Sequence, residues 1–419
     1  MKKARKLPNG WIEFRIKDKF QTGSGATPLS TKKEFYENGN IPWINSGELE
    51  SPYINSTSNF ITQLGFESSN THLFAKNTVL LAMYGATAGK ASLLEIEACT
   101  NQAICAIKPN DDFSSLFIKY QLDNLYDYLV SLSSGSARNN LSQEGIGNLT
   151  LFAPKTKDEQ EHLIRILRYI DSKIENNNKI NAELESLAKT IYDYWFLQFE
   201  FPNEEGKPYK SSGGKMVWNE KLNRMIPDGW KDGNLYDIAE FTNGLACQKH
   251  RPIKNNQRLL VIKIREMHNG FTSETEWVRD DIPQKYVIED GDILFSWSAT
   301  LETIIWTGGQ GALNQHIFKV SEKNCAKYYV FMQLAEYVKN FVAMAEARKT
   351  TMGHITSDHL NQSRIVLPCT KVIDSFEKKV TPLFTSIIKN KQESIELSKL
   401  RDFLLPMLMN GQVGFIENE

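Results

Sequence analysis

Two apolar stripes recur in this chain at a fixed distance of 213 residues. In the first, Leu163, Leu167, Ile170, Ile174, Leu184, Leu187, Ile191 and Tyr194 step by 4, 3, 4, then a polar gap of 10, then 3, 4, 3. Phe376, Val380, Leu383, Ile387, Leu397, Leu400, Leu404 and Met407 make the same steps in the second. Steps of 3 and 4 place side chains on one face of a helix. Neither helix can bury such a stripe alone, so the economical arrangement is two equivalent helices packed against each other. A repeat of this length makes the chain nearly two-fold symmetric within itself. Two-fold proteins often read two-part targets, and DNA is the commonest of these.

The repeat reaches beyond the helices. Leu7-Pro8-Asn9-Gly10-Trp11 matches Ile226-Pro227-Asp228-Gly229-Trp230 at offset 219. Ile41-Pro42-Trp43-Ile44 lies near the counterpart of Leu259-Leu260-Val261-Ile262. Val79–Thr87 matches Asp292–Thr300, and Asn101-Gln102-Ala103-Ile104 matches Asn314-Gln315-His316-Ile317, both at offset 213. Pro154 and Pro368 close the two halves. Small drifts in offset mean short insertions in loops. Between the matched blocks the halves share little, so the frame is duplicated and the variable surface is not.

Each half starts with a mixed α/β region of about 150 residues. Short β-type runs, Thr78–Met83, Ala103–Ile107, Ile293–Ser296 and Ile317–Val320, are broken by Gly, Ser, Asn and Thr turns. A helix of roughly 40 residues follows, about 55–60 Å long. Asn176-Asn177-Asn178 and Lys389-Asn390-Lys391-Gln392 occupy the polar gaps and suggest a bend or a wet stretch there. The expected division is 1–155 as a first recognition domain, 156–200 as the first long helix, 201–225 as an exposed linker, 226–368 as a second recognition domain and 369–412 as the second long helix. The expected fold is two α/β domains in a pseudo-two-fold repeat, joined by two long antiparallel helices that form a coiled-coil spacer.

Composition limits the class. No apolar run approaches the roughly 20 residues of a membrane span. The basic start Met1-Lys2-Lys3-Ala4-Arg5-Lys6 is followed by no apolar stretch, which excludes a signal peptide by pattern. Cys99, Cys105, Cys247, Cys325 and Cys369 are scattered with no C-x-x-C pair, which favours reduced thiols in a cytoplasm over a disulfide frame or zinc site. A net charge of −1 argues against gripping nucleic acid by bulk charge alone. A local basic surface, or partner subunits that hold the phosphates, would still serve.

Catalytic motifs are missing. Gly85-Ala86-Thr87-Ala88-Gly89-Lys90-Ala91-Ser92 fails as a phosphate loop: three residues separate its glycines where four are needed, and Ala91 follows the lysine. Its counterpart Ser298-Ala299-Thr300-Leu301 has neither glycine nor lysine. There is no Asn-Pro-Pro-aromatic motif, no G-x-G-x-x-G after a strand, no G-x-S-x-G and no histidine pair at metal-ligand spacing. No cofactor and no metal is expected.

The order of parts resembles a known family. The segment from Pro202 to Lys215, running into Met216-Val217-Trp218-Asn219 and Ile226-Pro227-Asp228-Gly229-Trp230, looks like the central region of type I restriction–modification specificity subunits. So does the sequence of variable region, Pro154, long helix, variable region, Pro368, long helix. The resemblance implies two target-recognition domains, each reading one half of a split, asymmetric double-stranded DNA site. It implies helices that dock two copies of a methyltransferase subunit, with restriction/translocase subunits joining that core in the cytoplasm. Methylation and ATP-driven cleavage would belong to those partners. The rival reading is a two-domain coiled-coil scaffold that binds protein, which the near-neutral charge favours.

Base reading is expected from polar side chains on loops beside the β-type runs. In the first half these are Asn45, Ser46, Tyr84, Thr87, Lys90 and Arg138; in the second, Lys263, Arg265, Trp297, Thr300, Arg348, Lys349 and Thr350. Arg and Lys suit guanine edges, and Asn suits adenine. Asn101-Gln102 and Asn314-Gln315 recur in both halves, and a recurring residue is poor at reading different bases. A structural or phosphate-contacting role is expected for them.

Overall fold

The computed structural model describes residues 7–134, 141–252, 258–347, 355 and 357–413. Both striped segments are helices. The first is Lys157–Tyr192, continued by a π turn over Asp193–Leu197, and the second is Thr370–Met409. The chain divides into two compact units, Met1–Ser172 with Ser398–Glu419, and Lys173–Leu397. Each long helix therefore contributes to both units.

In unit 1 the frame is closed by a two-stranded ribbon of Trp11–Arg15 with Thr150–Pro154. A five-stranded sheet runs in the order Thr22–Ser24, Ile104–Ile107, Val79–Ala82, Ala91–Leu94, Tyr53–Ile54. A four-stranded sheet runs Phe60–Ile61, Ile41–Ile44, Ala98–Thr100, Leu73–Phe74. Val79–Ala82 and Ile104–Ile107 are buried at every residue, which is why they read as unbroken apolar runs.

Unit 2 repeats this plan. Its ribbon is Lys231–Gly233 with Ile365–Leu367. One sheet runs Ala239–Asn243, Ile317–Glu322, Ile293–Ser296, Glu302–Ile305, and the other Trp277–Arg279, Arg258–Ile262, Gly311–Leu313, Val287–Ile288. The register repeats as well. Leu80 lies opposite Ser92, and Ile293 lies opposite Ile305, both shifted by 213. Each unit also has the same parallel pair, Ile41–Ile44 on Ala98–Thr100 and Arg258–Ile262 on Gly311–Leu313. Among the described residues, the strand Tyr53–Ile54 has no counterpart in unit 2.

The helices bury most of the stripe, with one departure. In unit 1, Leu163, Ile164, Leu167 and Ile170 are buried, and the first three share a core with Leu408 and Met409 of the second helix. In unit 2, Phe376, Val380 and Ile387 pack with Ala188, Tyr192, Trp195 and Phe196. Leu187 and Leu400, which correspond at offset 213, are exposed at 48% and 44%. A pattern averaging 3.5 residues drifts around a 3.6-residue helix. The buried face therefore passes from the striped positions to Ala188 and Tyr192.

The polar gap is in part buried rather than wet. The first helix runs unbroken through it, and Asn177 and Asn181 are buried at 1% and 4% exposure. Asn177 Nδ2 donates to Glu393 Oε2 at 2.8 Å and to Ser394 Oγ at 3.2 Å, and Asn390 Nδ2 donates to Asn181 Oδ1 at 2.9 Å. Asn177 corresponds to Asn390 and Asn181 to Ser394, so matched positions bond one another across an antiparallel pair. The segment read as an exposed linker is also anchored. Phe201 stacks on Tyr209 at 4.6 Å and on Trp230 at 4.9 Å, and Met216–Asn219 pairs with Arg224–Pro227.

Candidate nucleic-acid interface

In unit 1 the turns 45–50, 84–90 and 101–103 are joined by hydrogen bonds. Asn45 follows the strand Ile41–Ile44 and caps the next turn: its Oδ1 accepts from Gly47 N at 2.9 Å, while Glu48 Oε1 accepts from Asn45 N at 3.0 Å. Thr87, in the loop after Val79–Ala82, donates its hydroxyl to the Ser46 carbonyl at 2.7 Å. The Tyr84 hydroxyl donates to the Gln102 carbonyl at 3.0 Å, and its ring is 47% exposed. Lys90 pairs with Glu50 at 2.7 Å. Asn45, Ser46, Tyr84, Thr87 and Lys90 are thus brought together. Tyr84 is the most open of them, while Thr87 is buried and holds the loop to the neighbouring turn.

Unit 2 builds the same edge with other side chains. Trp297 replaces Tyr84 at offset 213 and donates Nε1–H to Asn243 Oδ1 at 3.2 Å. Its ring lies 5.7 Å from that of His316. Thr300 is exposed, and its carbonyl accepts from the Ser296 hydroxyl. Lys263 follows the strand Arg258–Ile262 and pairs with Glu276 at 2.5 Å; Arg265 pairs with Glu266 at 2.9 Å and Glu274 at 3.1 Å. The hydrogen bond and charge of Lys263 hold the Glu276 carboxyl below its usual range. Arg138, Arg348, Lys349 and Thr350 lie outside the described residues.

Each described cation of this set already faces a carboxylate. The pairs of Lys90 with Glu50 and Lys263 with Glu276 are exposed on both sides and contribute roughly 0–1 kcal/mol each, whereas Arg265 also holds Glu266, which is buried at 1% exposure. Lys90, Lys263 and Arg265 are thus present at these turns but paired one by one.

The recurring Asn-Gln turns are structural at their asparagines. Asn101 Oδ1 accepts from Ala103 N at 3.0 Å, and Asn314 Oδ1 accepts from His316 N at 3.3 Å. Their own amides donate to Ile44 and Ile262 carbonyls. One pair of residues at this edge was not singled out from sequence. Gly25 and Gly244 correspond at offset 219, the same shift as the Pro-Asn/Asp-Gly-Trp blocks, and that match was the available signal. A Cβ on Gly25 would stand 1.8 Å from the Thr100 carbonyl oxygen, and on Gly244 2.1 Å from that of Asn314. Gly25→Ala and Gly244→Ala are each expected to destabilise the chain by about 1–3 kcal/mol. Chemical denaturation checks this; a change within about 0.5 kcal/mol would show that the turn is not confined there.

The buried thiols at this end are packing groups. Burial pushes Cys99 up to about 11 and Cys105 up to about 12, so both stay protonated. Among the described residues, no group of three His, Cys, Asp or Glu is placed to hold a metal ion, and no helix is long and apolar enough to cross a membrane.

Residues 8–186 and 227–397 match the family model of the type I restriction modification DNA specificity domain, once for each half of the repeat. The chain belongs to this family. The type I restriction enzyme MjaIX specificity subunit of Methanocaldococcus jannaschii is 27% identical over 423 residues, covering 97% of this chain and 94% of that one. The HindI specificity subunit of Haemophilus influenzae is 23% identical over 344 residues, covering 69% and 74%. Among solved structures, the type I restriction-modification system S subunit from M. genitalium aligns with a TM-score of 0.56 at 16% identity, over 96% of this chain and 98% of that chain, and so shares the fold. DNA specificity in type I restriction–modification is the function of this specificity subunit, and the protein-scaffold reading is set aside.

Proposed function

We propose that this specificity subunit is non-catalytic and that each of its units reads one half of a split, asymmetric duplex site. In this reading Asn45, Ser46, Tyr84 and Lys90 face the first half-site, with Thr87 holding their loop in place. Lys263, Arg265, Trp297 and Thr300 face the second; Arg138 in the first half and Arg348, Lys349 and Thr350 in the second are candidates for the same role by sequence alone. The long helices seat two methyltransferase subunits, which carry the methyl-transfer chemistry on a flipped base. Restriction/translocase subunits join that core, and the complex works in the cytoplasm.

One observation carries the reading. The frame repeats in register, Leu80 opposite Ser92 and Ile293 opposite Ile305, while the side chains at its open end differ, Tyr84 against Trp297. Such a protein presents two different surfaces on one scaffold, which is what an asymmetric two-part target demands. The test is to reconstitute the subunit with a methyltransferase partner and sequence the methylated sites. One bipartite motif, marked only when this subunit is present, is the expected result. Sequence-independent marking, or methyl transfer or ATP-dependent cleavage by the isolated chain, overturns it.

A further inference from the structure

In unit 1 a carboxylate is buried where four elements converge. Asp171, on the first long helix, is 6% exposed. Its Oδ2 accepts from the Tyr120 hydroxyl at 2.6 Å and the Tyr53 hydroxyl at 3.2 Å, and its Oδ1 accepts from Arg401 Nη1 at 3.3 Å. Tyr120 stands on the helix Ser115–Asn124, Tyr53 on the strand Tyr53–Ile54, and Arg401 on the second long helix. Beside this hub, Lys119 is itself buried and pairs with Asp123 at 2.8 Å. Burial, reinforced by the charge of Asp171, pushes both phenols far above their ordinary range, so they remain donors.

The chain shows that cohesion at this place does not require charge. At offset 213, Phe384 stands for Asp171, Gln333 for Tyr120 and Met332 for Lys119, while Arg401 corresponds to Ala188. Phe384 stacks on Tyr328 at 4.3 Å. A buried ionic hub is a poor source of stability compared with apolar packing, and its best-attested use is to fix one arrangement among several. What unit 1 has in addition is the strand Tyr53–Ile54. That strand follows directly on the turn Ser46–Glu50, whose Glu50 holds Lys90 and whose Ser46 carbonyl holds Thr87.

We propose that Asp171 is a positioning residue for the first reading surface: through Tyr53 and Tyr120 it holds segment 45–54, and with it loop 84–90, at one fixed attitude to the long helices. This rests on the DNA-reading role proposed above. Among the described residues of unit 2, the position that matches Asp171 holds Phe384, which packs on Tyr328 in place of a buried carboxylate.

The test uses the full chain in complex with its methyltransferase partner, carrying Asp171→Asn, Arg401→Gln or Tyr53→Phe. The last removes the hydroxyl that joins segment 45–54 to Asp171 and leaves the ring. Two quantities are read: hydrogen exchange in 45–54 and 84–90 against 258–262 and 293–300, and the sequences methylated. Exchange in the first pair of segments is expected to rise, with the second pair unchanged. Correct marking at one half-site is expected to fall by up to about 100-fold, the effect of roughly an ångström of misplacement, while the other half-site sequence holds. A merely structural role would weaken marking without altering which bases are read at one half only, and that result overturns the proposal. So does unchanged exchange in 45–54 with Tyr53→Phe. If the parent complex marks no bipartite site, the DNA-reading function fails, and the exchange comparison still decides whether Asp171 holds the segment.

Discussion

Exchanging residues 1–154 for the equivalent region of another specificity subunit is expected to replace one half of the methylated motif and leave the other half untouched. The structure indicates where such a graft is self-contained. Trp11–Arg15 pairs with Thr150–Pro154, so the region closes on itself just before the first long helix begins at Lys157. Its seat is Leu163, Ile164 and Leu167, with Leu408 and Met409. A graft that keeps apolar partners for these five residues should fold. The expected effect is large, because specific binding exceeds non-specific binding by about 10³–10⁷ and each mismatched base pair costs roughly 1–3 kcal/mol. Sequencing of methylated sites reads both halves at once. A changed second half-site would show that the two surfaces are coupled, against the reading of two independent ones.

Phe376→Ala is expected to remove about 3–5 kcal/mol of stability, a large part of the roughly 5–15 kcal/mol available to a folded domain. Phe376 is fully buried, with ring centroids of Phe196 at 5.0 Å, Trp195 at 6.0 Å and Tyr192 at 6.2 Å. Truncation there leaves a cavity walled by rigid rings that relax little. Leu400→Ala is the control. Leu400 belongs to the same sequence stripe but is 44% exposed, and its loss should lie within about 0.5 kcal/mol of the parent. Urea denaturation of both variants decides the matter. Equal losses would mean that the stripe is buried along its whole length.

That pair of residues also shows how far the sequence could be read. The 213-residue offset makes the helices, their equivalence and the strands Val79–Ala82 and Ile293–Ser296 legible, because burial on both faces leaves an apolar signature that no turn can mimic. The facing of Leu187 and Leu400 was not legible, since it depends on how the helix surface drifts against a partner over several turns. The asparagines of the gap looked like solvated residues, because composition cannot tell a polar group that meets water from one that meets another asparagine. At the candidate interface, loop position singled out Tyr84, Lys90, Lys263 and Trp297, but it could not reveal that Glu50 and Glu276 pair with the lysines. Nor could it reveal that Thr87 is turned inward, for these are facts of side-chain neighbours far apart in sequence.

The division of the chain has a consequence for how it is made. Unit 2 is a continuous stretch, Lys173–Leu397, whereas unit 1 takes Leu408 and Met409 into its core and has the Gln121 side chain donating to the Met409 carbonyl at 2.8 Å. A ribosome delivers those two residues only after all of unit 2 has emerged. The core of the first domain is therefore completed only after the second has been made, against the usual order in which the N-terminal domain is finished first. The first domain leaves the tunnel early and waits with the apolar seat around Leu163 and Leu167 uncovered. A premature stop near residue 400 would do its damage more than two hundred residues upstream, at Leu163 and Leu167 in the domain made first.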